Sequence, residues 1–218
     1  MTVIAPPFRT LVLDVDSTIS GIEGIDWLAA RRGDVVSRRI AKLTEQAMQG
    51  GIPLEQVYGA RLAEIRPRRD EVDALSRAYV DALAPGAVNS IARMRRSGVQ
   101  VVLVSGGIRY ALLRLALQLG LGPADVHAVS VQFDAIGAYV GFDAASPLTT
   151  ADGKRRVVEE LQLEGPVIAA GDGATDLAMR GVVDRFVAFT GFVARPNVVE
   201  AADGVAASFA DLERIVLS

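Results

Sequence analysis

The chain has 218 residues, half of them apolar, enough for a sizeable core in one or two domains. Its formal net charge of −3 and pI near 5.3 give no support for nucleic acid as a partner. Cysteine is absent, which excludes disulfides, thiolate catalysis and cysteine-bound metals.

Met1 to Arg9 lacks the basic head and long apolar centre of a secretion signal, and no apolar run approaches the ~20 residues that span a bilayer. A cytoplasmic protein without a membrane partner is expected, as monomer or homodimer. Leu11 to Leu13 reads as a buried strand and leads directly into Asp14-Val15-Asp16-Ser17-Thr18. Carboxylates are poor strand formers and costly to bury unpaired. Alternate residues of an extended chain point to one side, so Asp14 and Asp16 can face one point beyond the strand's carboxyl end. In open α/β sheets ligands bind there.

Four helical patterns follow: Gly21 to Arg31, Asp34 to Gln49, a third opened by Pro53, and Asp70 to Ala84. Gly50-Gly51 is expected to stop the second. A simple βαβ unit needs one helix, so residues 20–82 read as an inserted helical cap, with 1–19 and 83–218 as an α/β core. Pro85-Gly86 starts a helix through Ser97, and Val99 to Val104 reads as a central parallel strand. Ile108 to Leu119 is a leucine-rich helix. Val126 to Phe133 and Ala138 to Phe142 predict a hairpin. An amphipathic helix, Asp152 to Leu163, precedes a buried strand at Val167 to Ala170. A helix at Ala174 to Arg180, a strand at Phe186 to Phe189 and a last helix at Phe209 to Leu217 complete the pattern. The alternation predicts a Rossmann-like, mainly parallel sheet covered by helices.

Other strand ends carry similar anomalies. After Val104 come Ser105-Gly106-Gly107, where a small hydroxyl and glycines at a helix start would cradle a phosphate; taken alone, an ordinary turn with a Ser cap is the simpler reading. After Ala170 comes Gly171-Asp172-Gly173-Ala174-Thr175-Asp176, whose carboxylates suit a hard cation such as Mg²⁺ or merely cap a helix. Lys154 sits where a helix dipole disfavours a cation, so it either is solvated or reaches a carboxylate and a phosphate. Arg61 shares a helix face with Leu54 and Tyr58, where a guanidinium matches a carboxylate in a bidentate fork. Glu23 could hold an ammonium; surface ion pairs explain both residues as well. Arg66-Pro67-Arg68-Arg69 reads as a solvated loop, Trp27 and Met48 as packing residues, and the one histidine, His127, lies away from the motifs.

Together, Asp14-Val15-Asp16-Ser17-Thr18, Ser105-Gly106-Gly107, Lys154 and the 171–176 stretch resemble the four motifs of the haloacid dehalogenase (HAD) superfamily. Within it, Glu23-Gly24-Ile25-Asp26, Met48-Gln49-Gly50, Leu54-Glu55-Gln56 and Arg61 are similar to the phosphoserine phosphatase family. Leu54 stands where that family has a phenylalanine packing on the substrate. Gly59 and Ala60 replace residues that are often basic, and Thr175 an asparagine common in bacterial members.

The resemblance implies Mg²⁺-dependent hydrolysis of O-phosphoserine through a phospho-aspartyl intermediate, in serine biosynthesis. Asp14 would be the nucleophile and Asp16 the acid and base. Lys154, Ser105, Gly106 and Gly107 would hold the phosphoryl group beside Thr175. Asp14, the Asp16 carbonyl, Asp172 and Asp176 would serve the metal, and Glu23 and Arg61 the substrate's amino and carboxylate ends. Another small phosphate ester, a phosphotransferase, or a phospho-accepting signalling module are the alternatives; the Asp16 acid and the cap argue against the last.

Overall fold

A computed structural model describes residues 7–48 and 54–218, with side chains for all of these but 44–48 and 54. The expected stop at Gly50-Gly51, the Pro53 helix start and the Met48 and Leu54 side chains lie outside the described residues. The first strand, β1 (Thr10–Leu13), leads to helices α1 (Gly24–Ala30), α2 (Asp34–Met48), α3 (Leu54–Ile65), α4 (Arg69–Asp81) and α5 (Ala87–Arg96). Then come β2 (Gln100–Ile108), α6 (Arg109–Gln118), β3 (Val126–Val129), β4 (Val131–Phe133), β5 (Tyr139–Phe142) and α7 (Gly153–Leu161). The chain ends with β6 (Val167–Gly171), α8 (Ala174–Leu177), β7 (Arg185–Phe189), α9 (Pro196–Ala201), β8 (Gly204–Ala206) and α10 (Phe209–Leu217).

Six strands form one parallel sheet in the order β3-β2-β1-β6-β7-β8. β1 is covered on both faces, and Leu11, Val12 and Leu13 are wholly buried. Burying each such side chain contributes about 1.5–3 kcal/mol, which is why an unbroken apolar run takes the central position. Leu13 is in register with Leu103 of β2 on one side and Ala170 of β6 on the other. β1 ends there while β2 runs on to Ile108, and the chain's direction of travel across the sheet reverses between β1 and β6. That switch point is where a parallel sheet opens a crevice.

The chain enters and leaves the α1–α4 segment at one place. Ser20 bridges antiparallel to Leu83, with Gly21 N–H donating to Ala82 O (2.9 Å) and Ala84 N–H to Ile19 O (2.8 Å). Helix α4 packs along α6 of the core, and Arg32, just past α1, grips Glu71 of α4.

Several expected elements change on folding. Val126 to Phe133 is not one arm of a hairpin: β3 joins the parallel sheet beside β2, and only Val131–Phe133 pairs antiparallel with β5. A continuous β-rich run cannot show that its halves take different partners. Ser105-Gly106-Gly107 does not open a helix either. It belongs to β2, across a register shift between Val104 and Ile108, and α6 begins at Arg109. Pro85-Gly86 is a turn ahead of α5, and the Ala174 to Arg180 helix is one α turn followed by a 3₁₀ turn. The arginines of the 66–69 stretch are exposed, with Pro67 buried, and the stretch is tied down: Arg69 N–H donates to Gly137 O (2.9 Å) and the Arg68 guanidinium to Ile136 O (3.2 Å), at the tip of the β4–β5 hairpin.

Candidate active site

Asp14 leaves β1 still in strand geometry, its N–H donating to Ala170 O of β6 (3.0 Å). Its buried carboxylate meets the Lys154 ammonium, which also contacts Asp176. Lys154 is carried by the first turn of α7 and is itself buried, so it is not the solvated lysine that composition alone allows. Burial works against its charge, but Asp14 and Asp176 outweigh that and hold its pKa above the ordinary lysine value. Burial, reinforced by Asp176, pushes Asp14 well above the usual carboxylate range, with Lys154 opposing.

Asp172 follows β6 and Asp176 lies within α8. Asp176 Oδ2 accepts the Gly173 N–H (2.9 Å), and Thr18 Oγ1 donates between Asp172 Oδ1 (3.3 Å) and Asp14 Oδ2 (3.4 Å). Asp14, Asp172 and Asp176 offer oxygens within 4.8 Å of one another. Asp172 Oδ2 is buried without a hydrogen bond, ion-paired to Arg195. Three buried carboxylates with hard oxygen donors and no imidazole fit a hard divalent cation. The Asp16 side chain is not part of that cluster.

Asp16 turns the other way. Its Oδ1 accepts the Tyr79 hydroxyl of α4 (2.5 Å) and the Gly24 N–H (3.1 Å). Burial raises its pKa to about 7, the nearby Glu23 charge adds to the rise, and the bonds from Tyr79 and Gly24 oppose it. Tyr79 is wholly buried, and burial with the adjacent Asp16 charge lifts its hydroxyl well above the ordinary tyrosine value, so it stays a donor. Asp14 and Asp16, two residues apart, thus have different partners: Lys154 for the one, Tyr79 and Gly24 for the other.

Ser17 adopts a left-handed backbone (φ 53°), uncommon for a non-glycine residue, and its hydroxyl donates to Glu23 (2.7 Å). A cavity of about 330 Å³ brings together Asp14, Asp16, Lys154, Asp172, Thr175 and Asp176 with Glu23, just before α1, and Tyr58 and Arg61 of α3. Gly106 lines it too, whereas Ser105 is fully buried beneath, its Oγ accepting the Gly107 N–H (3.0 Å). Arg61 donates to Asp26 (2.6 Å), and its buried Nε has no partner. His127 lies in a separate cleft with Arg109 and Glu160.

A family model for haloacid dehalogenase-like hydrolases matches residues 8–181. A phosphoserine phosphatase of Bos taurus is 35% identical over 202 residues, covering 91% of this chain and 89% of that protein. A chloroplastic phosphoserine phosphatase of Arabidopsis thaliana is 32% identical, covering 94% and 70%. The chain belongs to the HAD-like hydrolases, in the phosphoserine phosphatase family. A solved structure described as a phospho-aspartyl intermediate analogue of phosphoserine phosphatase superposes with a TM-score of 0.76 at 26% identity, covering 95% of this chain and 96% of that one. The activity of this HAD-like chain is that of a phosphatase, and a carboxylate cluster able to hold a metal ion is present. No helix among the described residues is long and apolar enough to cross a membrane.

Two site residues of this HAD-like chain escape sequence reasoning. Tyr79 reads as one more apolar-face residue of an amphipathic helix. Arg195, whose guanidinium also reaches the Asp172 carbonyl (3.3 Å), lies in the loop before α9 with no motif around it. The nearest signal is its place after a strand end, between β7 and α9.

Proposed function

We propose that the chain hydrolyses O-phosphoserine to serine and phosphate, with residues 20–82 as a substrate-selecting cap over the core. The observation that carries this is the cavity in which the Asp14–Lys154 pair of the core faces Glu23 and Arg61 of the insertion. A phosphate at Asp14 then lies within reach of a carboxylate for the ammonium and a guanidinium for the carboxylate of one small molecule.

Asp14 attacks phosphorus as the bond to the serine oxygen breaks, and that oxygen takes a proton from Asp16. Water then attacks the phospho-aspartate, Asp16 recovers a proton from it, and the bond to Asp14 breaks. Lys154 and the Gly106 backbone stabilise the charge that spreads over the phosphoryl oxygens, and Ser105 orders that backbone from below. Thr175 lines the rim. Mg²⁺ is the proposed ion: Asp14, Asp172 and the Asp16 carbonyl would hold it, with Asp176 orienting them. When bound it would neutralise charge on the phosphoryl group. Ser20 and Leu83 at the crossing support a hinge for cap closure, which would keep bulk water out. The product places the enzyme in serine biosynthesis, and a cysteine-free chain suits the cytoplasm.

The test is phosphate release from a panel of small phosphate esters with Mg²⁺, for the parent, Asp14→Asn and Arg61→Ala. Phosphoserine should lead, Asp14→Asn should be inactive, and Arg61→Ala should lose mainly phosphoserine. Another ester in the lead with Arg61→Ala indifferent would remove the substrate assignment.

A further inference from the structure

We propose that Tyr79 is a positioning residue for proton transfer: its hydroxyl occupies Asp16 Oδ1, so that Oδ2 alone exchanges the proton with substrate and water. This deepens the reading above and rests on the acid–base role of Asp16, not on phosphoserine as the substrate. A carboxyl oxygen offers two lone pairs. On Asp16 Oδ1 both are taken, by the Tyr79 hydroxyl (2.5 Å) and the Gly24 N–H (3.1 Å). The mobile proton therefore resides on Oδ2.

The surroundings are shaped for this contact. A Cβ at Gly24 would lie 2.0 Å from the Tyr79 hydroxyl oxygen, so only glycine admits that oxygen there. A Cβ at Gly107 would lie 3.3 Å from Asp16 Oδ2 and 3.4 Å from the Tyr79 oxygen, so this glycine too packs closely on the pair. Tyr79 is wholly buried in α4, a helix of the insertion seated on α6, and the Ser20 hydroxyl donates to its carbonyl (3.0 Å) at the crossing. The acid of the core is thus oriented by a side chain from outside the core, 63 residues along the chain.

In the first step the Asp14 oxygen bonds to phosphorus, and the P–O ester pair goes to the alkoxide oxygen. That oxygen takes the proton from Asp16 Oδ2. In the second, the water oxygen bonds to phosphorus, its proton goes to Oδ2, and the P–O pair returns to Asp14. A leaving group that needs no proton bypasses the first transfer only.

The experiment compares Tyr79→Phe with the parent, full chain, with Mg²⁺. The substrates are p-nitrophenyl phosphate and phosphoserine, or the best primary alkyl phosphate if the parent rejects phosphoserine. On the alkyl ester kcat should fall about tenfold or more, with KM within about twofold. First-turnover release of nitrophenolate, measured by rapid mixing, should equal that of the parent. Gly24→Ala should give the same pattern, and Tyr79→Phe should add nothing in an Asp16→Asn background. An unchanged alkyl-ester kcat overturns the proposal. So does an equal loss of the nitrophenolate burst, or the same penalty repeated without Asp16. A parent inactive on phosphoserine removes only the substrate assignment.

Discussion

Lys154 and Asp14 pair across 140 residues of chain, and both are buried. The lysine separates two carboxylates that would otherwise face each other, Asp14 and Asp176. Removing one partner of a buried pair is costly because the other charge is stranded, typically by about 3–5 kcal/mol. Lys154→Met should lower unfolding stability in chelator by that order, and phosphate release by about a hundredfold or more. Adding Asp176→Asn should restore part of the stability and none of the activity. Urea titrations of the two variants check this; a Lys154→Met protein as stable as the parent would refute it.

The Asp14, Asp172 and Asp176 oxygens should make stability depend on a divalent cation. A ligand bound only by the folded state raises stability logarithmically with its concentration, by about 2.7 kcal/mol at a hundredfold excess over its dissociation constant. The melting temperature of the parent should therefore climb through an Mg²⁺ titration after chelation, and that of Asp172→Asn should climb much less. Equal climbs in both proteins would place the ion elsewhere.

Much of this site was legible because its parts are local. An apolar triplet ending in two aspartates, and Asp172 after a buried strand, are anomalies that burial costs make visible in the sequence. What could not be read depends on contacts made at a distance. Tyr79 looks like any core tyrosine until α4 is laid on α6 and its hydroxyl meets Asp16. Arg195 has no periodic context, and β8, three residues long, is too short to leave a pattern. Val129 and Val131 read as one strand because β-propensity carries no information about partners, although Ser130 between them marks the change of sheet.

Arg61 is held by Asp26 at 2.6 Å, and the Asp26 side chain is about half exposed. A substrate carboxylate must share or replace that partner. Such a partly exposed pair is worth about 0–1 kcal/mol. Asp26→Asn should therefore lower KM for phosphoserine by up to about fivefold and leave kcat unchanged. A higher KM would instead mean that Asp26 orients the guanidinium for the substrate.

Acid should weaken the grip of α4 on the end of α1. Both Glu71 oxygens accept from the Arg32 guanidinium at 2.5 Å, and Arg32 Nε reaches Ile65 O (2.7 Å). The bond from Arg32 holds the Glu71 carboxyl below its ordinary value of 4.5. A group depressed on folding adds stability above its unfolded pKa and loses it as pH falls through the folded one. The pair is partly exposed, so its pH-dependent share is at most about 1 kcal/mol. Parent and Arg32→Ala should differ most in urea midpoint above about pH 5 and draw together towards about pH 3. The lost bond to Ile65 adds a constant offset, so only the changing part of the difference counts. A difference that stays flat across that range would show that Glu71 gains nothing from its charge.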